Sequence, residues 1–130
     1  MIVVDTNVLA YLLIQGVHTP SAEALLVKEP HWVAPILCRS EFRNILAGYM
    51  RRGDISFDGA YKIRREAESL LAGNEYEPDS LQVLELVRDS ECTAYDCERV
   101  AVAMALNAQL VTMDKALLKA FPKAVMRLTG

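Results

Sequence analysis

The chain has 130 residues, of which 52% are hydrophobic and 24% are charged, and its formal net charge is -3. This composition excludes a disordered or collagen-like chain, and the length predicts one globular domain over residues 1–130. Nucleic-acid-binding proteins usually carry a basic surface, so the acidic balance argues mildly against that class of partner.

Strands and helices are predicted to alternate along the chain. Short apolar runs without alternation predict buried strands at Ile2–Val4, 31–34, Gln109–Thr112 and, at a sheet edge, 124–128. Helical patterns occupy 21–28 with Ser21 as N-cap, 36–52 before Gly53, 58–72 before Gly73, 79–89, 94–107 and Lys115–Ala120. The order predicts an α/β fold, with a mostly parallel sheet of four to five strands and helices on both faces.

Two acidic residues directly follow predicted strands. Asp5 comes after Ile2–Val4, and Asp114 comes shortly after Gln109–Thr112. In parallel α/β folds, sites form beyond the carboxyl ends of the strands, so both residues are candidates for chemistry. The alternative for each is a structural one, in which the aspartate caps the helix that follows it.

Glu41 lies on a helix, at or beside the predicted apolar face. It is four residues after Leu37 and four before Ile45, and this spacing places the three on one side of the helix. A carboxylate in such a position is costly unless it is paired or binds a metal ion. The alternative to a metal role is an ion pair with Arg39 or Arg43.

Asp96 opens the helix predicted over 94–107, whose apolar composition indicates a buried central helix. Thr93 and Asp96 have the spacing of an N-terminal capping pair. The alternative to a metal role is therefore a first-turn acid that complements the helix dipole.

The four carboxylates form a stronger signal together than separately. Parallel topology can bring them to one edge of the sheet, where they cannot share a small site while ionised unless cations neutralise them. An oxygen-only ligand set favours Mg²⁺ or Mn²⁺ over zinc. The two histidines form no metal motif, and the three cysteines, an odd number without zinc-finger spacing, predict reduced thiols of a cytoplasmic protein.

No signal for membrane insertion or secretion is apparent in the sequence. No apolar run is long enough to cross a bilayer. The N-terminal residues MIVVDTNVL have no basic leader and no cleavage-site pattern, which argues against a signal peptide.

The segments VDTNVL (4–9), RSEFRNIL (39–46), TAYDCE (93–98) and LVTMD (110–114) resemble, in order and spacing, the four acidic motifs of PIN-domain nucleases. The similarity is greatest to the VapC-type toxins of bacterial and archaeal toxin–antitoxin systems, and it extends over essentially the whole chain. It implies a PIN-like three-layer sandwich. It also implies a metal-dependent endoribonuclease whose Mg²⁺ or Mn²⁺ is held by Asp5, Glu41, Asp96 and Asp114.

The resemblance also implies roles for neighbouring residues. Thr6, Asn7 and Thr112 would orient the acidic side chains, and Glu98 is an additional acid whose more ordinary place is a solvated helix face. Arg99 departs from the family pattern, in which many members have an apolar or aromatic residue; we expect this to affect helix packing rather than the metal ligands. Candidates to guide the RNA backbone are Arg39, Arg43 and Lys115.

As partners, the resemblance implies a homodimer and a separate small antitoxin protein, beside the RNA substrate. Three other readings stay open at this point. One is a PIN nuclease that acts in RNA processing without an antitoxin, and another is a catalytically silent RNA-binding or interaction module. A phosphorelay receiver domain is disfavoured, because Asp5 is followed by Thr6 rather than a second acid and the last predicted strand is not followed by lysine.

Overall fold

The computed structural model of the protein describes residues 1–129, and a five-stranded parallel sheet forms their centre. The strands are β1 (Ile2–Val4), β2 (Trp32–Pro35), β3 (Glu75–Tyr76), β4 (Gln109–Thr112) and β5 (Val125–Arg127). Their order across the sheet is β3-β2-β1-β4-β5, with every neighbouring pair parallel. The predicted parallel sheet is confirmed, and the strand predicted over 124–128 does lie at an edge.

Seven helices within residues 1–129 connect and cover the strands. They are α1 (Thr6–Leu13), α2 (Thr19–Lys28), α3 (Cys38–Arg51), α4 (Phe57–Leu71), α5 (Ser80–Arg88), α6 (Ala94–Ala105) and α7 (Lys115–Ala120). Side chains of α1, α3 and α4 pack on one face of the sheet, and those of α5, α6 and α7 pack on the other. This is the three-layer arrangement that the sequence predicted.

Alternation of side chains along β1 separates the two halves of the core. Ile2 and Val4 belong to the cluster with α1, α3 and α4, whereas Val3 belongs to the cluster with α5, α6 and α7. All three residues are buried because helices cover both faces. The continuous apolar run is therefore the sequence signature of a central strand.

The predicted elements differ from the structure in the start of α2, in strand β3 and in helix α1, which was expected only as the helix that Asp5 would cap. Helix α2 begins at Thr19 rather than after Ser21, because the Thr19 hydroxyl accepts the Gly16 backbone N–H (2.9 Å) and donates to the Tyr11 carbonyl (2.6 Å). Pro20 then occupies the first turn, where its missing N–H is not needed. The short strand β3 was not predicted at all.

The carboxyl ends of β1 and β4 lie side by side in the middle of the sheet. Val4 is in register with Val111, and the Asp5 backbone N–H donates to the Val111 carbonyl at 3.1 Å. Residues that directly follow these two strands therefore meet at the same edge. Among residues 1–129, no helix has the length and apolar character needed to cross a membrane.

Candidate active site

Asp5 is held at the carboxyl end of β1 by a buried threonine of the neighbouring strand. The Thr112 hydroxyl donates to Asp5 Oδ2 at 2.6 Å, and both residues are buried. The other carboxylate oxygen, Oδ1, accepts the Asn7 backbone N–H at 3.4 Å, so Asp5 is also the N-cap of α1. Asp5 therefore caps α1 and, at the same time, lies at the carboxyl end of β1 where the candidate site is expected.

Asp114 follows β4 and caps α7. Its Oδ1 accepts the backbone N–H groups of Ala116 (2.8 Å) and Leu117 (3.3 Å), and its own N–H donates to the Thr112 hydroxyl at 3.0 Å. The capping alternative for Asp114 is therefore confirmed. Through Thr112, the positions of Asp114 and Asp5 are linked by two consecutive hydrogen bonds.

Glu41 comes from the first turn of α3 and approaches the same edge from the side of β2. The Thr6 hydroxyl donates to Glu41 Oε1 at 2.8 Å. The Glu41 side chain is 29% exposed, so it reaches from the boundary of the core toward Asp5. The prediction that it lies beside the apolar face of its helix is confirmed, because its neighbours Cys38 and Phe42 are buried.

Asp96 lies in the first turn of α6. Its backbone N–H donates to the Thr93 hydroxyl at 3.1 Å, which closes the predicted cap. Burial raises the pKa of the Asp96 carboxyl above its ordinary value, Arg99 acts in the lowering direction, and the nearby charges of Asp114 and Asp5 raise it further. The aspartates from β1, α6 and the end of β4 are thus close enough to influence one another.

Asp5, Glu41, Asp96 and Asp114 together form what we call the acidic edge of the sheet. Arg99 is the positively charged residue within it. Its guanidinium donates from Nη1 to Asp96 Oδ1 (3.1 Å), contacts Asp5 Oδ1 through Nε (3.5 Å) and pairs closely with Glu41 Oε1 through Nη2. Its side chain is only 5% exposed. Although burial lowers the pKa of the guanidinium, the charges of Asp5 and Glu41 raise it, and the group stays charged.

The expectation that Arg99 would affect only the packing of its helix is therefore wrong. The position three residues after Asp96 puts both side chains on one face of α6, and that face points into the acidic cluster. One sequence signal could have indicated this contact. A single arginine directly before the buried segment 100–103 should itself be buried, and a buried charge is costly unless it pairs with carboxylates.

Glu41 does form an ion pair, as the alternative interpretation expected, but its partner is Arg99 and not Arg39 or Arg43. Arg39 pairs instead with Glu75 through two contacts of 2.7 Å and with Glu68 at 3.5 Å. Arg43 is exposed. Residues two apart on a helix do not face each other, so neither arginine is placed to reach Glu41.

The other predicted residues take different positions around the edge. Thr6 and Thr112 touch carboxylates directly, whereas Asn7 is exposed and contacts Asp5 through its backbone N–H. Lys115 is exposed at the start of α7. Glu98 is half-buried, and its pKa is raised by burial and by the charge of Glu77.

The donor set fits a hard divalent cation in chemistry, because it consists of carboxylate oxygens. The arrangement also fits a cation, because three carboxylates from different parts of the chain already surround one positive group, the Arg99 guanidinium. In residues 1–129, no three acidic, histidine or cysteine side chains have the spacing of a preformed metal site. The geometry of the cluster is therefore adapted to an arginine as it stands.

The three cysteines are free thiols, as predicted. Cys38 lies beneath the acidic edge, where the Thr6 hydroxyl approaches its sulfur at 3.5 Å. Burial, opposed by the hydrogen bond from Thr6 and reinforced by the charge of Glu41, raises the pKa of Cys38 to about 11. The thiol is consequently protonated at neutral pH and is a packing residue of the site.

Comparisons with known proteins agree with this architecture. The model of the family described as PIN domain matches residues 2–123. Similar solved structures include PAE2754 from Pyrobaculum aerophilum (TM-score 0.75, 23% identity, covering 97% of this chain and 89% of that one). FitAcB from Neisseria gonorrhoeae is similar with a TM-score of 0.77 and 18% identity, covering 97% of this chain and 96% of that one. A toxin–antitoxin complex from Klebsiella pneumoniae matches with a TM-score of 0.69 and 17% identity, over 97% of this chain and 96% of that one. At these identities the structural similarity establishes the fold, and no curated protein sequence matches the chain.

Proposed function

Because the chain belongs to the PIN-domain family, whose members are nucleases, we propose that it is a divalent-metal-dependent endoribonuclease and the toxin of a toxin–antitoxin pair. The observation that carries the proposal is the convergence of Asp5, Glu41 and Asp96 on one cationic group at the carboxyl edge of the sheet. Asp114 joins them through the Thr112 hydrogen bonds. Four acids from distant parts of the chain at one edge of an α/β fold would provide the oxygen ligands of a cation-binding site.

The four carboxylates would hold Mg²⁺ or Mn²⁺, which would activate a water molecule and neutralise charge on the phosphate oxygens. The chain's own contribution is placement. Thr112 fixes one oxygen of Asp5, and Thr6 fixes one oxygen of Glu41. Their hydroxyl donors keep the carboxylates in defined orientations before any ligand arrives, which reduces the cost of organising the site.

Guidance of the RNA backbone falls to exposed basic side chains near the edge. Arg43 on α3 and Lys115 at the start of α7 are exposed and flank the acidic residues Glu41 and Asp114 in sequence. Arg39 is occupied by Glu75 and Glu68, so we expect it to contribute less than the other two. Contacts of this kind would act on phosphates and carry no base specificity.

Substitution of the acids tests the proposal. Asp5→Asn and Asp96→Asn should each abolish Mg²⁺- or Mn²⁺-dependent cleavage of an RNA panel while the circular dichroism spectrum and cooperative unfolding persist. The matched control is Asp89→Asn, which neutralises an exposed aspartate that pairs with Arg88. Full cleavage by either purified site variant would contradict the assignment of the acidic edge as the catalytic site.

The proposed antitoxin is supported by two similar solved structures, the toxin–antitoxin complex from Klebsiella pneumoniae and FitAB bound to a DNA fragment. The surface of this chain offers a place for such a partner in a groove between α3 and α4, lined by the exposed apolar residues Met50, Phe57 and Tyr61. A short neighbouring reading frame that encodes a DNA-binding protein, and copurification of its product, would support the toxin reading. A lone gene would favour a role in RNA processing.

We further propose that the protein forms a homodimer, as the family resemblance implies. Light scattering coupled to size-exclusion chromatography measures its mass directly. A monomeric mass across the accessible concentration range would contradict this part of the proposal and leave the proposed chemistry intact.

The position of Arg99 favours a second candidate function, a catalytically silent RNA-binding module. An arginine that contacts three of the acids offsets part of the negative charge that would attract a divalent cation. RNA retention in a gel-shift assay without cleavage at any Mg²⁺ or Mn²⁺ concentration would favour this candidate over the nuclease.

A further inference from the structure

We propose that Arg99 is an intramolecular competitor of the divalent cation, so that the acidic edge alternates between an arginine-paired state and a metal-loaded state. The proposal rests on the proposed metal-dependent function and concerns the regulation of the same site. In the arginine-paired state, one positive charge from within the chain partly offsets the charges of Asp5, Glu41 and Asp96. Metal then binds only as the guanidinium withdraws from these carboxylates.

The first argument is the completeness of the arginine's contacts. Each nitrogen of the guanidinium meets an oxygen: Nε meets Asp5, Nη1 meets Asp96 and the Tyr95 carbonyl, and Nη2 meets Glu41. The Thr6 hydroxyl lies a further 3.5 Å from Nη2. An arginine with only 5% of its side chain exposed and this set of acceptors is a built feature of the fold rather than a chance surface pair.

The second argument is electrostatic exclusion. A guanidinium and a divalent cation at the same three carboxylate oxygens would repel each other at short range in this partly buried site. The three acids also depend on a positive partner, since like charges at this separation disfavour one another. Both cations would use the same oxygens, Asp5 Oδ1, Glu41 Oε1 and Asp96 Oδ1, and this overlap is the condition for competition.

The third argument concerns what each state leaves unpaired. Glu41 and Asp96 are 29% and 27% exposed, whereas Asp5 is 10% exposed and keeps the Thr112 hydrogen bond throughout. Glu41 and Asp96 can thus exchange the guanidinium for metal or solvent while Asp5 stays fixed. The exchange requires a change in the Arg99 side chain and no rearrangement of the sheet.

Metal binding without RNA tests the proposal, so the readout is independent of cleavage. The free Mn²⁺ signal in electron paramagnetic resonance gives the Kd for Mn²⁺ alone. We expect Arg99→Met, which preserves an unbranched side chain and removes the charge, to bind Mn²⁺ at least about tenfold more tightly than the wild type, equivalent to about 1.4 kcal/mol. Arg88→Met is the matched control, because it removes one exposed arginine charge elsewhere and should leave Kd unchanged.

A second variant covers the case in which Arg99→Met does not fold without metal. Arg99→Lys keeps one charge but loses the fork that reaches three carboxylates, so its Kd for Mn²⁺ should lie between those of the wild type and Arg99→Met. In the wild type, the Arg99 Nε–H signal in nuclear magnetic resonance should shift in proportion to Mg²⁺ saturation. An unchanged Nε–H signal at saturating Mg²⁺ would show that the guanidinium keeps its carboxylate contacts and would contradict the competition.

The outcomes separate the competition from the proposed function. Equal Kd values for the wild type and both Arg99 variants, with tight binding in all, would overturn the competition and leave a metal-dependent nuclease. Absence of Mn²⁺ binding by the wild type and both variants at millimolar concentrations would overturn both. A tighter Kd in Arg99→Met without RNA cleavage would support the competition and contradict the nuclease.

Discussion

Replacement of Thr112 by valine should destabilise the protein, because the Thr112 hydroxyl serves two residues of the acidic edge. Valine has the same shape but no hydroxyl, so the variant loses the donor to Asp5 Oδ2 and the acceptor for the Asp114 N–H. Loss of a hydrogen bond to a charged group costs about 1.5–3 kcal/mol, and the neutral bond adds about 1 kcal/mol. The expected loss of unfolding free energy is about 3 kcal/mol.

Thermal and urea unfolding in metal-free buffer measure this loss. An unfolding entropy of about 2.1 cal/mol/K per residue gives roughly 0.27 kcal/mol/K for a chain of this length, so the midpoint should fall by about 11 °C. Thr112→Ser is the control, since it keeps the hydroxyl and removes one buried methyl group, at a cost of about 1 kcal/mol. If Thr112→Val unfolds within about 0.5 kcal/mol of the wild type, Thr112 does not hold Asp5 in the way described.

Three further predictions concern the edge and its supports. Asp114→Asn should keep the cap of α7 and the unfolding free energy but lose RNA cleavage. Asp114→Ala should lose cleavage and also about 1 kcal/mol of unfolding free energy. Equal unfolding midpoints of the two variants would refute the capping role. Since burial raises the pKa of Cys38 from 9.0 to about 11, the folded state favours the thiol. The stabilising contribution of the protonated thiol is complete below pH 9 and is lost as the pH rises toward 11. The unfolding free energy of the wild type should therefore fall by up to about 3 kcal/mol relative to that of Cys38→Ala. Parallel pH profiles of the two proteins would contradict this prediction. Gly73 follows α4 with a φ of +76°, so Gly73→Ala should cost about 1 kcal/mol in unfolding free energy, and Gly16→Ala, without such a φ, should cost less.

The strands that position the site could be predicted from the sequence because their signals are local. Ile2–Val4 and Gln109–Thr112 are uninterrupted runs rich in apolar and β-branched residues, and the structure places both strands at the predicted bounds. Their parallel pairing then determines that Asp5 and Asp114 follow neighbouring strand ends. Strand β3 gave no such signal, because Glu75–Tyr76 has only two residues, one of them charged. Its extended form depends on pairing with β2, where the Ala34 N–H donates to the Asn74 carbonyl at 3.1 Å.

The partners within the site could not be predicted in the same way. The sequence placed Glu41 beside the core, but its cation comes from a residue 58 positions later on another helix. Helical spacing excludes Arg39 and Arg43 as partners of Glu41 only once the direction of the Glu41 side chain is known. The hydrogen bond from Thr6 sets that direction. Contacts between distant elements depend on how the helices pack, which a local pattern does not specify.

The sheet order has a consequence for the protein during its synthesis. Strand β1 is made before the other four strands and lies in the centre, and one of its two neighbours, β4, is made only after β2 and β3. The hydrogen bond between Asp5 and Thr112 spans 107 positions, and Arg99 also follows most of the chain. A nascent chain therefore carries Asp5 without its arginine counter-charge until Arg99 has emerged, and without its threonine donor until Thr112 has emerged. The acidic edge can be assembled only after both helix α6 and strand β4 have been made.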